Sequence, residues 1–101
     1  AIGYYKKAIE LLNIFIQSRG HNTDKKREAH TLMLPCFTNK ALSHLKMRNW
    51  TSAIADCTKA IEIDKGNVKA LYRRSEGYYQ IRDYRRALLD IESAMDFVPE
   101  N

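Results

Sequence analysis

The sequence repeats itself at a distance of 34 residues. Asn49-Trp50-Thr51-Ser52-Ala53-Ile54 returns as Asp83-Tyr84-Arg85-Arg86-Ala87-Leu88. At the same offset Phe37 answers to Leu71, Asn39 to Arg73, Ala41 to Ser75, Ala60 to Ala94, Ile63 to Phe97 and Asn67 to Asn101. The matches preserve size and polarity, not merely hydrophobicity. A period of this length means that one unit cannot bury its own apolar face and must stack on its neighbours. The small residues Ala41, Ala53, Ala60, Ser75, Ala87 and Ala94 mark where paired helices approach closely. Phe37, Trp50, Leu71, Tyr78 and Tyr84 are the larger side chains that fill the spaces between.

Apolar spacing turns the period into helices. Ile2, Tyr5, Ile9, Leu12 and Ile16 form one stripe, predicting a first helix over about Ala1 to Ser18. A polar loop follows, with Arg19-Gly20-His21-Asn22 at its centre. A second helix is expected from about Asp24 to Met47, and Pro35 either kinks it or marks where its regular part starts. Asn49 is the expected N-cap of a third helix, Trp50 to Ile63. Asp64-Lys65-Gly66-Asn67 turns the chain into a fourth, Val68 to Ile81, and Asp83 caps a fifth, Tyr84 to Phe97. The fold class is therefore all-α. Ala1 and Ala8 stand seven apart like Ala53 and Ala60, so the chain opens inside the second helix of a first repeat. Residues 1–18 are that helix, 24–67 an extended second repeat and 68–101 a third.

Composition narrows the function classes. Apolar residues make up 45% and charged residues 29%, a balance that supports a packed core rather than disorder. No run reaches the roughly 18 apolar residues of a membrane span. The formal charge of +5 favours an acidic partner. Cys36 and Cys57 are too few for a disulfide framework, which points to reduced thiols in a cytoplasmic or nuclear protein. Both are expected to be buried small apolar groups. His21, His30 and His44 are not spaced as metal ligands with either cysteine. No serine, cysteine or carboxylate has a recognisable catalytic partner, so neither an enzyme site nor a cofactor is expected in these residues.

The 34-residue period and its pattern resemble the tetratricopeptide repeat (TPR). Phe37 and Leu71, the small residues at 41 and 75, the aromatics at 50 and 84, the alanines at 53, 60, 87 and 94, and the closing Pro99 carry the resemblance. Asn39-Lys40-Ala41-Leu42-Ser43-His44-Leu45-Lys46-Met47 and Asn67-Val68-Lys69-Ala70-Leu71-Tyr72-Arg73-Arg74-Ser75 are similar to segments of immunophilin-like cochaperones, of the FK506-binding, cyclophilin and aryl-hydrocarbon-receptor-interacting types. The resemblance implies an antiparallel helix-hairpin superhelix of about two and a half repeats. It also implies a peptide groove lined by the first helix of each repeat. Asn39, Lys69 and Arg73 then match three positions of the carboxylate clamp with which such domains grip the acidic C-terminal tail of a heat-shock chaperone of the 90-kDa or 70-kDa class. The chemistry suits an anion: Lys gives a point charge, Arg a planar fork and Asn a neutral amide. Leu42, Lys46 and Tyr72 are further candidates for peptide contact, and Thr38, Glu76 and Tyr79 should share the groove.

Plainer readings compete. Lys69 and Arg73 could be a solvated pair, and Lys25-Lys26-Arg27 and Arg85-Arg86 a charged outer face rather than a nucleic-acid surface. The alternatives to a clamp are a scaffold for another protein and, more weakly, a basic repeat that binds RNA. A prolyl isomerase or phosphatase would have to be a separate domain. Lys40 should pack its stem and send its ammonium to water. With its end helices unpaired, the array should expose Ile2, Tyr5, Leu88 and Ile91 and invite another chain or a swapped element to cover them.

Overall fold

Five helices follow one another in the computed structural model, which describes residues 1–20 and 22–99. They are α1 (Ile2–Gln17), α2 (Thr23–Lys46), α3 (Trp50–Ile63), α4 (Val68–Gln80) and α5 (Tyr84–Asp96), and no strand occurs among the described residues. Each helix packs on the next, and α2 also touches α4. The result is a slab of 45 × 34 × 20 Å made of α2–α3 and α4–α5 hairpins, with α1 laid against the first of them. The loop centred on His21 and the match of Asn67 to Asn101 each involve a residue outside the described ones.

Small residues set the spacing. Ala41, Ala53, Ala60 and Ala70 are fully buried, and Ser75, Ala87 and Ala94 nearly so. Gly77 lets α4 approach α3 most closely: a Cβ there would meet Ile54 Cγ1 at 2.8 Å and the Trp50 carbonyl at 3.5 Å. Ile9, Met33 and Phe37 join α1 to α2 and continue into Ala60 and Ala70 as one core, with Leu12, Ile16 and Leu34 against it. Truncating Phe37 would cost about 3–5 kcal/mol on this account. Pro35 sits inside a continuous α2, where it removes one backbone donor.

Helix ends follow local chemistry, with one departure from expectation. Asn22, Asn67 and Asp83 each accept a backbone N–H three residues on, from Lys25, Ala70 and Arg86. Asn49 makes no such cap. Its amide lies 3.5 Å from His44 Nδ1 instead, because the tight α2–α3 turn points it back along α2. That turn recurs. Arg48 and Arg82, 34 residues apart, both take positive φ, 61° and 66°. Asn49 N–H and Asp83 N–H then donate to the carbonyls of His44 and Tyr78, closing the helix ends in a Schellman-like pattern.

Two ion pairs also recur, and they correct the expectation for Lys40. Its ammonium turns to Asp56, 3.1 Å from Oδ1, tying α2 to α3. The counterpart Arg74 grips Asp90 with both prongs, at 2.8 and 2.7 Å, tying α4 to α5. Cys57 is fully buried as expected, but Cys36 is only half-buried, with its thiol donating to the Leu32 carbonyl at 3.6 Å. Its position on α2 leaves it partly open to solvent. The uncovered apolar faces also differ in detail. Leu88 is exposed, but Ile2, Tyr5 and Ile91 are half-buried, and the open face of α1 is Tyr4, Leu11 and Ile14. The α1 stripe read from the sequence is the one that packs on α2; the opposite stripe is bare. Trp50 and Tyr84 open equivalent helices, yet Trp50 is half-buried while Tyr84 is exposed and rests on Tyr79.

Two outcomes follow from this geometry. A left-handed conformation costs an L-residue about 1–2 kcal/mol. Part of that returns as chain entropy when glycine is placed there. Arg48→Gly and Arg82→Gly should each raise stability by about 0.5–1 kcal/mol in chemical denaturation. For the thiols, burial, reinforced by the neighbouring Asp56 carboxylate, pushes Cys57 up to about 12, and burial alone raises Cys36 less far. Native labelling at pH 8 read by mass spectrometry should therefore modify Cys36 first, and Cys57 only on unfolding.

Candidate peptide-binding groove

The six residues singled out from the sequence come from two adjacent helices. Asn39, Leu42 and Lys46 are on α2; Lys69, Tyr72 and Arg73 are on α4. Asn39, Lys46, Lys69 and Tyr72 are exposed, while Leu42 and Arg73 are half-buried. Among the described residues, the side chains of Asn39 and Lys69 have no hydrogen-bonding or ionic partner within the chain, so their donors are free for a ligand.

One bond brings the two helices together at this point. Arg73 Nη1 donates to the Thr38 carbonyl at 2.7 Å, across 35 residues of sequence. It sets the guanidinium beside the residue that precedes Asn39. Lys69 lies one helical turn before Arg73 on the same face. The arrangement offers a neutral amide, a guanidinium fixed at one end and an unpaired ammonium, a set matched to a carboxylate. Thr38 itself does not share the groove. It is buried at 6% exposure, its hydroxyl donating to the Pro35 carbonyl, and it contributes its backbone oxygen. Glu76 and Tyr79 are exposed on α4 as a groove lining requires.

Beside Lys69 the surface becomes apolar. Val68, the Lys69 stem and Tyr72 face Ile91, Met95 and Val98 of the last helix and its exit across an open hollow of about 630 Å³. Several other basic residues are engaged elsewhere. Lys25 and Arg27 pair within α2 with Glu28 and Asp24, Lys26 donates to the Ser18 carbonyl, and Arg86 pairs with Asp83. Among the described residues no group of three or more His, Cys, Asp or Glu could hold a metal ion, and no helix is long and apolar enough to cross a membrane.

Sequence reading missed the Arg73 to Thr38 bond and the two inter-helix ion pairs. The pairs had a signal: Lys40 and Arg74, and Asp56 and Asp90, are each separated by the repeat period. The carbonyl anchor had none, because a backbone oxygen has no sequence signature.

With this geometry in view, the fold can be assigned. The chain superposes on a solved structure described as the second TPR of Spaghetti (RPAP3) bound to the HSP90 peptide SRMEEVD, with a TM-score of 0.62 and 22% identity over 94% of this chain and 87% of that one. The fold is that of a tetratricopeptide-repeat domain, an all-α solenoid of helix hairpins. In sequence the whole chain is 33% identical to a segment of the mouse peptidyl-prolyl cis-trans isomerase FKBP4 and 31% identical to its human counterpart. It is also 38% identical over 65 residues to mouse sperm-associated antigen 1. The chain spans about a fifth (21%) of the length of the FKBP4 proteins. No family model matches it.

Arg73 thus has a structural task that Lys69 lacks. Arg73→Ala should lower stability by about 1.5–3 kcal/mol, the worth of a hydrogen bond to a charged group. Lys69→Ala should stay within about 0.5 kcal/mol. Urea unfolding of the two variants distinguishes them.

Proposed function

We propose that this groove binds the acidic C-terminal tail of a heat-shock chaperone through a carboxylate clamp in which Asn39, Lys69 and Arg73 take part. The observation that carries the reading is the Arg73 to Thr38 bond, which sets a guanidinium next to Asn39 and one turn from a free ammonium. Likeness to a TPR bound to the HSP90 peptide SRMEEVD supports it, since that peptide carries two glutamates and an aspartate. Similarity to FKBP4 supports it as well. Lys46 and Tyr72 flank the clamp as peptide contacts, and Leu42 contributes apolar surface. On this reading the chain is a non-catalytic interaction module of a cytoplasmic cochaperone, and any isomerase or phosphatase chemistry belongs to another domain of the same protein. A scaffold for a different protein partner is the alternative.

Calorimetric titration with an acidic tail peptide tests the proposal directly. Each charge-assisted contact contributes about 1.5–3 kcal/mol. Lys69→Ala and Arg73→Ala should therefore weaken binding about 10–100-fold. Asn39→Ala should weaken it with less salt dependence, and Arg86→Ala should change it little, since a distant exposed charge is screened. Amidating the peptide terminus should have an effect comparable to losing a clamp cation. Affinity unchanged by amidation and by both cation variants would replace the clamp with the scaffold alternative.

A further inference from the structure

The α2–α3 and α4–α5 turns are built alike. Met47 precedes Arg48 in one and Ile81 precedes Arg82 in the other, 34 residues apart. All four side chains are exposed, Met47 at 58% and Ile81 at 43%. The two arginines share a positive φ, and the two turns share the carbonyl pattern that closes them. The buried ion-pair struts, Lys40 to Asp56 and Arg74 to Asp90, hold both hairpins in the same register. With α2 touching α4, the two tips stand side by side at one end of the slab.

That end is strongly basic. Residues 46–49 and 81–86 carry Lys46, Arg48, Arg82, Arg85 and Arg86 against one carboxylate, Asp83. Arg86 takes Asp83, and among the described residues the other four cations have no ionic partner. At the opposite end of the hairpins, the three lysines of residues 59–69 are offset by Glu62 and Asp64, and α5 ends on Glu92 and Asp96. Helix dipoles leave this asymmetry standing. Helices α2 and α4 finish at the tips while α3 and α5 begin there, so their end charges offset one another. The edge is a cationic surface with an exposed aliphatic side chain at each turn. A polyanion in water gains little from Met47 and Ile81. A lipid interface accepts aliphatic groups beneath a layer of anionic headgroups.

We propose that this edge docks on an anionic phospholipid surface. Met47 and Ile81 enter the headgroup layer, and Lys46, Arg48, Arg82 and Arg85 pair with lipid phosphates and carboxylates. A guanidinium fork suits two phosphate oxygens at once. Two tips side by side also set the orientation, with the hairpins standing on the surface rather than lying along it. A few cations and two apolar side chains give reversible attachment, not insertion. Lys69 lies a helix length from Arg82, about 20 Å at 1.5 Å per residue. The far end of α4 and the hollow beside Lys69 therefore stay in water, and the proposal does not depend on the peptide-binding reading.

Co-sedimentation with vesicles tests it. The chain should bind vesicles of phosphatidylcholine mixed with phosphatidylserine, leave them as salt rises, and ignore phosphatidylcholine alone. Arg48→Gly combined with Arg82→Gly should weaken binding about 25-fold, about fivefold for each cation lost. Glycine suits the positive φ of both positions, so this variant keeps its fold, which a melting curve checks. Met47→Ser combined with Ile81→Ser leaves the charge unchanged and should weaken binding about tenfold. Lys59→Ala, an equal loss of charge at the opposite end, should have little effect. Equal binding to both kinds of vesicle, or binding to neither, overturns the proposal. So does unaltered affinity in either double variant. If the serine variant keeps its hold on anionic vesicles and on single-stranded RNA alike, the edge is a general polyanion surface and the membrane assignment fails.

Discussion

How closely two helices can approach decides everything else in this array. Where α3 meets α2 and α4, the buried positions include Ala41, Ala53, Ala60, Ser75 and Gly77, and the backbones come near enough for carbonyls and short side chains to matter. That proximity lets Arg73 reach a backbone oxygen on α2 and lets Lys40 and Arg74 reach carboxylates on the partner helix of each hairpin. Larger residues at 41, 60 or 77 would separate the helices by more than a side chain can bridge. The groove and the struts are thus products of the same small-residue positions that a hydrophobicity count would treat as minor.

Polar groups in the interior are the counterpart of that close packing. Asp56 and Asp90 are buried at 6% and 4% exposure. Buried pairs of this kind contribute more to geometry than to net stability, since desolvation offsets much of the attraction. Here they join the two helices of each hairpin, with the same residue classes at the same period. They act as locating pins, fixing rotation and register where alanine-rich faces alone would allow sliding.

Much of this was legible in the sequence, for a physical reason. Periodicity records packing, and a 34-residue echo that preserves size fixes which positions are small, which are large and therefore which helices pair. Helix boundaries came within a residue or two because Asn67 and Asp83 are strong caps. The placement of Asn39, Leu42 and Lys46 on one helix and of Lys69, Tyr72 and Arg73 on another followed from the same frame. What was not legible depended on directions in space. Lys40 looked like a stem with a solvated head, and only the placement of α3 reveals a carboxylate above it. Thr38 looked like groove lining, yet its side chain turns to Pro35 and its carbonyl does the work. The bare stripe of α1 was assigned to the wrong side because both of its faces are apolar, and periodicity cannot tell which one finds a neighbour.

The anchoring of Arg73 also bears on the thermodynamics of any ligand the groove accepts. An arginine free in solvent surrenders much of its rotamer entropy when it grips a carboxylate. Arg73 has surrendered that freedom already, at folding, because one prong is held by α2. Lys69, unheld, must still give up its own. In the proposed clamp the two cations would thus divide the labour of recognition: one a rigid template that sets where an anion sits, the other a flexible arm that adjusts to what arrives.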